Sequence, residues 1–186
     1  MSWLRATWLG WLLGVPCIVL LALAAEAVRL GGLQVFVGTG MGLGVGLLQA
    51  RQVRGCGLSA GSWILASALG LGLPFLAWDV AAAMGTTWTY HLAGCVATGG
   101  LVVGLWQGQL LKRHLVAPAW WVVGCTLGWG LAGGLTTTAD LLVKGLALRG
   151  LPGAAAYLAL VALPGGVLGL LTARVLAATW RPAVGQ

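Results

Sequence analysis

Six apolar runs, each about 20 residues long, dominate this chain. They fall at about 3–25, 33–53, 62–84, 92–111, 119–141 and 153–177. About 20 residues at 1.5 Å rise per residue cross a hydrocarbon core of roughly 30 Å. In lipid only helices and closed barrels satisfy their own backbone, and these runs are too long and continuous for barrel strands. The links between them run from Glu26 to Gly32, Arg54 to Gly61, Gly85 to His91, Lys112 to Pro118 and Leu142 to Pro152. None could hold a second domain. The expectation is one all-α integral membrane domain over residues 1–186, with six transmembrane helices. Composition excludes the soluble alternatives: 7% of residues are charged and 60% hydrophobic, whereas a soluble domain runs near 25% charged. A soluble enzyme, a disordered tail and a nucleic-acid-binding domain are set aside on that ground.

The net charge of +7 then reads as an orientation signal. With the N-terminus inside, Arg5, Arg51, Arg54, Lys112, Arg113, Arg174 and Arg181 mark the inner ends, and Arg29, Lys144 and Arg149 the outer ends. The excess of basic residues belongs on the cytoplasmic side, so both termini are expected inside. Tryptophan placement agrees: Trp3, Trp8, Trp63, Trp120, Trp121 and Trp180 fall near inner ends and Trp78 and Trp88 near outer ends, where amphipathic indoles collect. The first run is longer than the 7–15 apolar residues of a signal peptide, so it is expected to be retained. A bacterial inner membrane is the expected location.

Self-similarity organises the runs further. Trp63-Ile64-Leu65-Ala66-Ser67-Ala68-Leu69-Gly70-Leu71-Gly72-Leu73 aligns without gaps on the segment opening at Trp121, at an offset of 58. The segment opening at Trp3 aligns at an offset of 60. The shared pattern is W-x-x-[small]-[STC]-x-L-G-[LW]-x-L. A second pattern, G-x-x-x-G-L followed by a polar residue, links Gly42, Gly46 and Gln49 to Gly100, Gly104 and Gln107 at the same offset of 58. Gly165, Gly169 and Thr172 follow at a further 65. The chain therefore reads as three tandem two-helix hairpins, approximately 2–58, 62–117 and 120–181, in the same membrane orientation. Parallel repeats of this kind imply pseudo-threefold symmetry about the membrane normal, unlike inverted-repeat transporters.

Spacing assigns the repeated residues to faces. Gly42 and Gly46, Gly100 and Gly104, and Gly165 and Gly169 lie four apart, as do Ala6 and Gly10, Ala66 and Gly70, and Gly124 and Gly128. Small residues at that spacing let helix backbones approach where lipid offers no hydrophobic drive. Packing is the first reading; a narrowed pore or a slot for a flat cofactor is the other. Gln49 and Gln107, with Thr7, Ser67 and Cys125 on the partner helices, read as hydrogen-bonded glue or as the polar lining of a solute path. Glu26, Asp79 and Asp140 are all the carboxylates, one per hairpin. They are candidates for an ion or proton site or for ion pairs at the outer rim, Asp79 being the best placed within the membrane. His91 and His114 read as interface residues, with axial ligation as the alternative. Arg51, Arg54, Lys112, Arg113 and Arg174 could hold anionic lipid heads or an acidic partner.

No Walker A, H-E-x-x-H or G-x-S-x-G motif is present, and the four cysteines show no metal or disulfide spacing. No enzymatic activity, metal or cofactor is expected, a pigment or haem being the exception that imidazole ligation leaves open. The combined Gly and Trp motifs resemble small uncharacterised bacterial multi-pass proteins built from Gly/Trp-rich helical hairpins, a resemblance that implies no activity. The first functional expectation is a structural or accessory subunit, partnered by lipid and by other membrane subunits or its own copies, and packing through small-residue faces. A small channel or transporter for ions or neutral solutes is the alternative, and a lipid- or pigment-binding protein a third.

Overall fold

A computed structural model describes residues 1–145 and 150–181. Arg149 and Gln186 lie outside the described residues, as does the Lys144 side chain. The chain forms six helices: α1 Trp3–Ala27, α2 Val35–Arg54, α3 Ala60–Ala83, α4 His91–Leu111, α5 Pro118–Gly145 and α6 Gly150–Thr179. Among the described residues there is no strand, only an isolated bridge between Leu115 and Trp180. Each helix begins and ends close to the expected run. By length and composition, however, three rather than six are apolar enough to cross a membrane among the described residues: α1, α3 and the Leu158–Thr179 part of α6. The reason is chemical. Helices α2, α4 and α5 carry glycines, Gln49, Gln52, Gln107, Gln109 and a Thr136–Thr138 run in place of leucines.

Local chemistry sets the boundaries. Ser2 and Ser59 cap α1 and α3 through their hydroxyls, which accept from Arg5 N–H and Ser62 N–H. Helices α1, α2 and α3 end alike, with Leu30, Leu58 and Thr86 N–H reaching back five residues to Ala25, Val53 and Ala81 carbonyls. That closure needs a left-handed residue, supplied by Gly57 (φ 73°) and Gly85 (φ 88°) but at α1 by Arg29 (φ 61°). Within α6, Pro164 interrupts the backbone ladder. In the turn before it, the indoles of Trp11 and Trp8 donate to the carbonyls of Val161 (2.8 Å) and Ala162 (3.0 Å).

Each helix packs against its neighbours in sequence, and α6 packs back against α1, so the six form a closed ring. Glycines set the closeness of approach. A Cβ at Gly42 would lie 2.8 Å from Ala68 Cα of α3. One at Gly100 would lie 2.6 Å from Trp129 Cβ of α5, and one at Gly165 2.5 Å from Trp11 Cβ of α1. The inward glycines thus seat each even helix on the next odd one. Gly10, Gly70 and Gly128 do the reverse within each hairpin, against Val45 Cα (2.7 Å), Val103 Cγ2 (2.7 Å) and Leu168 Cδ1 (2.9 Å). These side chains meet in one core with Trp11, Leu71 and Trp129. At the end of the ring that holds Trp3, the α4–α5 link is stitched to the end of α6: Val116 N–H donates to Thr179 O and Arg181 N–H to His114 O. The His114 ring stacks on Trp180 at 5.5 Å.

Candidate functional site

Three tryptophans, each the first residue of its W-x-x motif, meet inside the ring. Trp3 and Trp63 lie 5.8 Å apart between ring centroids, Trp3 and Trp121 5.7 Å, and Trp63 and Trp121 6.2 Å. Trp63 and Trp121 are fully buried, at 0% and 1% exposure. Trp63 and Trp121 are therefore not at the lipid interface expected of them, while Trp3 is half-buried. An indole that opens a helix near the inner end suits a belt or an axis equally; the difference is which face it occupies, and here it is the face turned into the ring. Trp8 and Trp120, on the outer faces, are exposed as expected.

Beneath the tryptophans lies a layer of polar side chains. Gln49 Nε2 donates to Thr7 Oγ1 at 2.9 Å, and Gln107 Nε2 donates to Ser67 Oγ at 3.0 Å. Trp63 Nε1 donates to Gln49 Oε1 at 3.2 Å, and Trp3 Nε1 to Thr172 Oγ1 at 3.0 Å. Thr7 and Ser67 in turn donate to the carbonyls of Trp3 and Trp63. Each bond joins residues of matching motif position, so the indole of one hairpin reaches the polar residue of the preceding even helix. The third link is missing. Trp121 would reach Gln107 by the same rule, yet its Nε1 is the one buried side-chain N or O atom without a hydrogen bond among the described residues. Gln107 donates to Ser67 Oγ, and Cys125 and Thr172 occupy the positions filled elsewhere by Ser67 or Thr7 and by Gln.

The layer surrounds a cavity of about 10 Å³ bounded by Gln49, Ser67, Gln107, Trp121 and Thr172, which is the size of a single water. On the side of the layer away from Trp3, a separate apolar cavity of about 70 Å³ lies among Trp11, Leu71, Phe75 and Trp129. On the Trp3 side a larger cavity of about 520 Å³ is bounded by Trp3, Val53, Leu111 and Trp180. Gln49 and Gln107 are therefore brought together with Thr7, Ser67 and Thr172, as their spacing suggested.

The carboxylates serve separate places. Asp79 reaches across from α3 to the start of α2, its Oδ1 and Oδ2 accepting from Gln34 and Val35 N–H, both at 2.8 Å. Gln34 supplies no side-chain cap of its own, so Asp79 caps this helix from a neighbouring one and complements its dipole. The exposed Glu26 folds over Gly31, where a Cβ would collide with its carboxylate. Asp140 is half-buried near the end of α5. His91 stacks on Trp78 with centroids 4.7 Å apart, its Nδ1 lying 2.9 Å from Trp88 O; His114 sits at the opposite end. Among the described residues no three His, Cys, Asp or Glu side chains gather to hold a metal. Arg51, Arg54, Lys112, Arg113 and Arg174 are all exposed, Arg51 and Arg54 beside a groove lined by Leu13, Leu47, Leu48 and Ile64. Comparison with family models, with curated proteins and with solved structures returns no match.

Proposed function

We propose that the chain is a non-enzymatic membrane protein of six spans, three tandem hairpins about a pseudo-threefold axis, with both termini on the cytoplasmic side of a bacterial inner membrane. The exposed side of the ring supports it: Leu20, Leu23, Leu65, Leu127 and Leu158 are each more than half exposed, a surface that suits lipid as solvent. Helices α2, α4 and α5 fall short of the hydropathy of a lone span, but each runs between two neighbours that shield its glycines and polar groups. Buried polar side chains hydrogen-bonded to one another are tolerated in such a bundle.

Its role on this reading is that of a structural or accessory subunit. One observation carries this: Trp3, Trp63 and Trp121 close the axis where a solute path would run. The packing glycines are spent inside the ring, so partner subunits would meet its leucine-rich outer face. The test is extraction from native membranes in mild detergent followed by subunit analysis and reconstitution. Retained polypeptides and vesicles that pass neither ions nor small neutral solutes are expected. A lone chain that makes vesicles permeable would replace this reading with a channel or transporter. The feature favouring that second reading is the hydrogen-bonded layer of Gln49 and Gln107, flanked by a cavity on either side.

A further inference from the structure

A groove of about 310 Å³ is lined jointly by α1, α2 and α3. Leu13 of α1 and Ile64 of α3 line it from the flanking helices, Leu47 lines it from α2, and the buried Ala50 is its smallest side chain. Leu13 is 36% and Leu47 40% exposed, so the groove opens on the outer surface and not into the core of the ring. Arg51 and Arg54, in the last turn of α2, line the same groove. Both are exposed, and neither guanidinium has a hydrogen bond or ion pair among the described residues.

Like charges three apart on one helix face disfavour each other, and an anion between the two guanidiniums removes that cost. The chain's own carboxylate side chains are elsewhere. Glu26 lies 13 residues from Leu13 along α1 and Asp79 15 residues from Ile64 along α3, about 20 Å and about 22 Å at 1.5 Å rise per residue. Asp140 is on α5, which packs on α4 and α6. Guanidinium forks match phosphate oxygens, and the leucines beside them match hydrocarbon. A phosphate that carries an apolar tail satisfies both parts of the groove.

We propose that this groove holds one anionic phospholipid, with its phosphate at Arg51 and Arg54 and an acyl chain along Leu13, Leu47 and Ile64. The inference rests on the membrane-embedded reading above but not on the accessory role. On that reading the arginine end lies at the cytoplasmic face, where basic residues draw anionic lipids.

Native mass spectrometry of the full chain in mild detergent tests it, with phosphatidylglycerol, phosphatidylcholine of the same chain length, and glycerol phosphate as probes. At roughly 5-fold for each arginine near the head group, one phosphatidylglycerol should be retained at least ~10-fold more tightly than phosphatidylcholine. Glycerol phosphate, which has the anionic head without the tail, should not be retained. Arg51→Gln with Arg54→Gln should bring the two lipids to within about 3-fold of each other. Arg113→Gln with Arg174→Gln removes two exposed arginines that do not line the groove and should leave the preference intact. Leu13→Trp should fill the groove and lower phosphatidylglycerol retention about 10-fold, and Leu47→Trp should do the same if Leu13→Trp does not fold. Equal retention of both lipids, a preference lost equally with either arginine pair, retention unaffected by the filling variants, glycerol phosphate held as tightly as the lipid, or an acidic polypeptide held in its place overturns the proposal. Failure of the membrane reading itself would show separately, as a chain released from membranes by alkaline carbonate.

Discussion

Trp63 and Trp121 hold matching positions in the motif, yet the first donates to Gln49 and the second has no acceptor among the described residues. This asymmetry makes a residue-scale prediction. Trp63→Phe removes an inter-helix hydrogen bond, worth about 0.6 kcal/mol on average in a bundle, and strands Gln49 Oε1. Trp121→Phe removes a buried donor that bonds no side chain among the described residues, so no inter-helix bond is lost. Trp121→Phe is therefore expected to be the milder change by at least ~1 kcal/mol in SDS-titrated unfolding, and equal losses would refute the assignment. Gln49→Leu should likewise cost more than Gln107→Leu, since Gln49 both donates to Thr7 and accepts from Trp63. The glutamines were legible from their place after the glycine pair. The tryptophans were legible as a motif but not as a cluster. An indole is amphipathic, and only the phase of the helix in the ring separates an exposed Trp120 from the buried Trp121 beside it.

At the scale of elements, the glycines separate into those that meet a neighbour and those that do not. A Cβ at Gly42 would lie 2.8 Å from Ala68 Cα, whereas one at Gly134 meets nothing within 4 Å. Gly42→Val should cost roughly 1–3 kcal/mol by overpacking, while Gly134→Ala should be neutral or stabilising by up to ~1 kcal/mol through helix propensity. Thermal unfolding in detergent distinguishes them, and equal effects would argue against tight seating of α2 on α3. Arg29 holds the left-handed position that Gly57 and Gly85 hold in the next two helices. Arg29→Gly should stabilise the end of α1 by about 0.5–1 kcal/mol; a loss on the same assay would assign the Arg29 side chain a stabilising contact. Helix number and boundaries were legible because apolar runs and breakers mark them directly. The weaker hydropathy of α2, α4 and α5 was hidden by the same glycines, which read as small and permissive but contribute almost nothing to partition into lipid. Asp79 was read as a membrane carboxylate because its sequence neighbours are apolar; its partners lie about 45 residues away, on the backbone of another element.

For the whole molecule, the account turns on closure. Gly46 lies against Ser67, Gly104 against Cys125 and Gly169 against Thr7, with a Cβ at each glycine 2.8, 3.0 and 3.3 Å from the partner Cβ. The first two contacts join elements adjacent in sequence; the third joins the two ends of the chain. Tandem motifs suggested a threefold arrangement but could not say that the last hairpin returns to the first, because no local signal encodes a contact between residues 162 positions apart. A pair of cysteines at that contact sits close to the Cβ separation of about 3.5–4.5 Å that a disulfide needs. The decisive measurement is oxidative cross-linking of Thr7→Cys with Gly169→Cys in native membranes, with Cys17, Cys56, Cys95 and Cys125 replaced by Ala. A closed ring predicts an efficient cross-link within one chain and none for Thr7→Cys paired with Gly104→Cys. No cross-link in a folded protein, or cross-links only between chains, would contradict the ring.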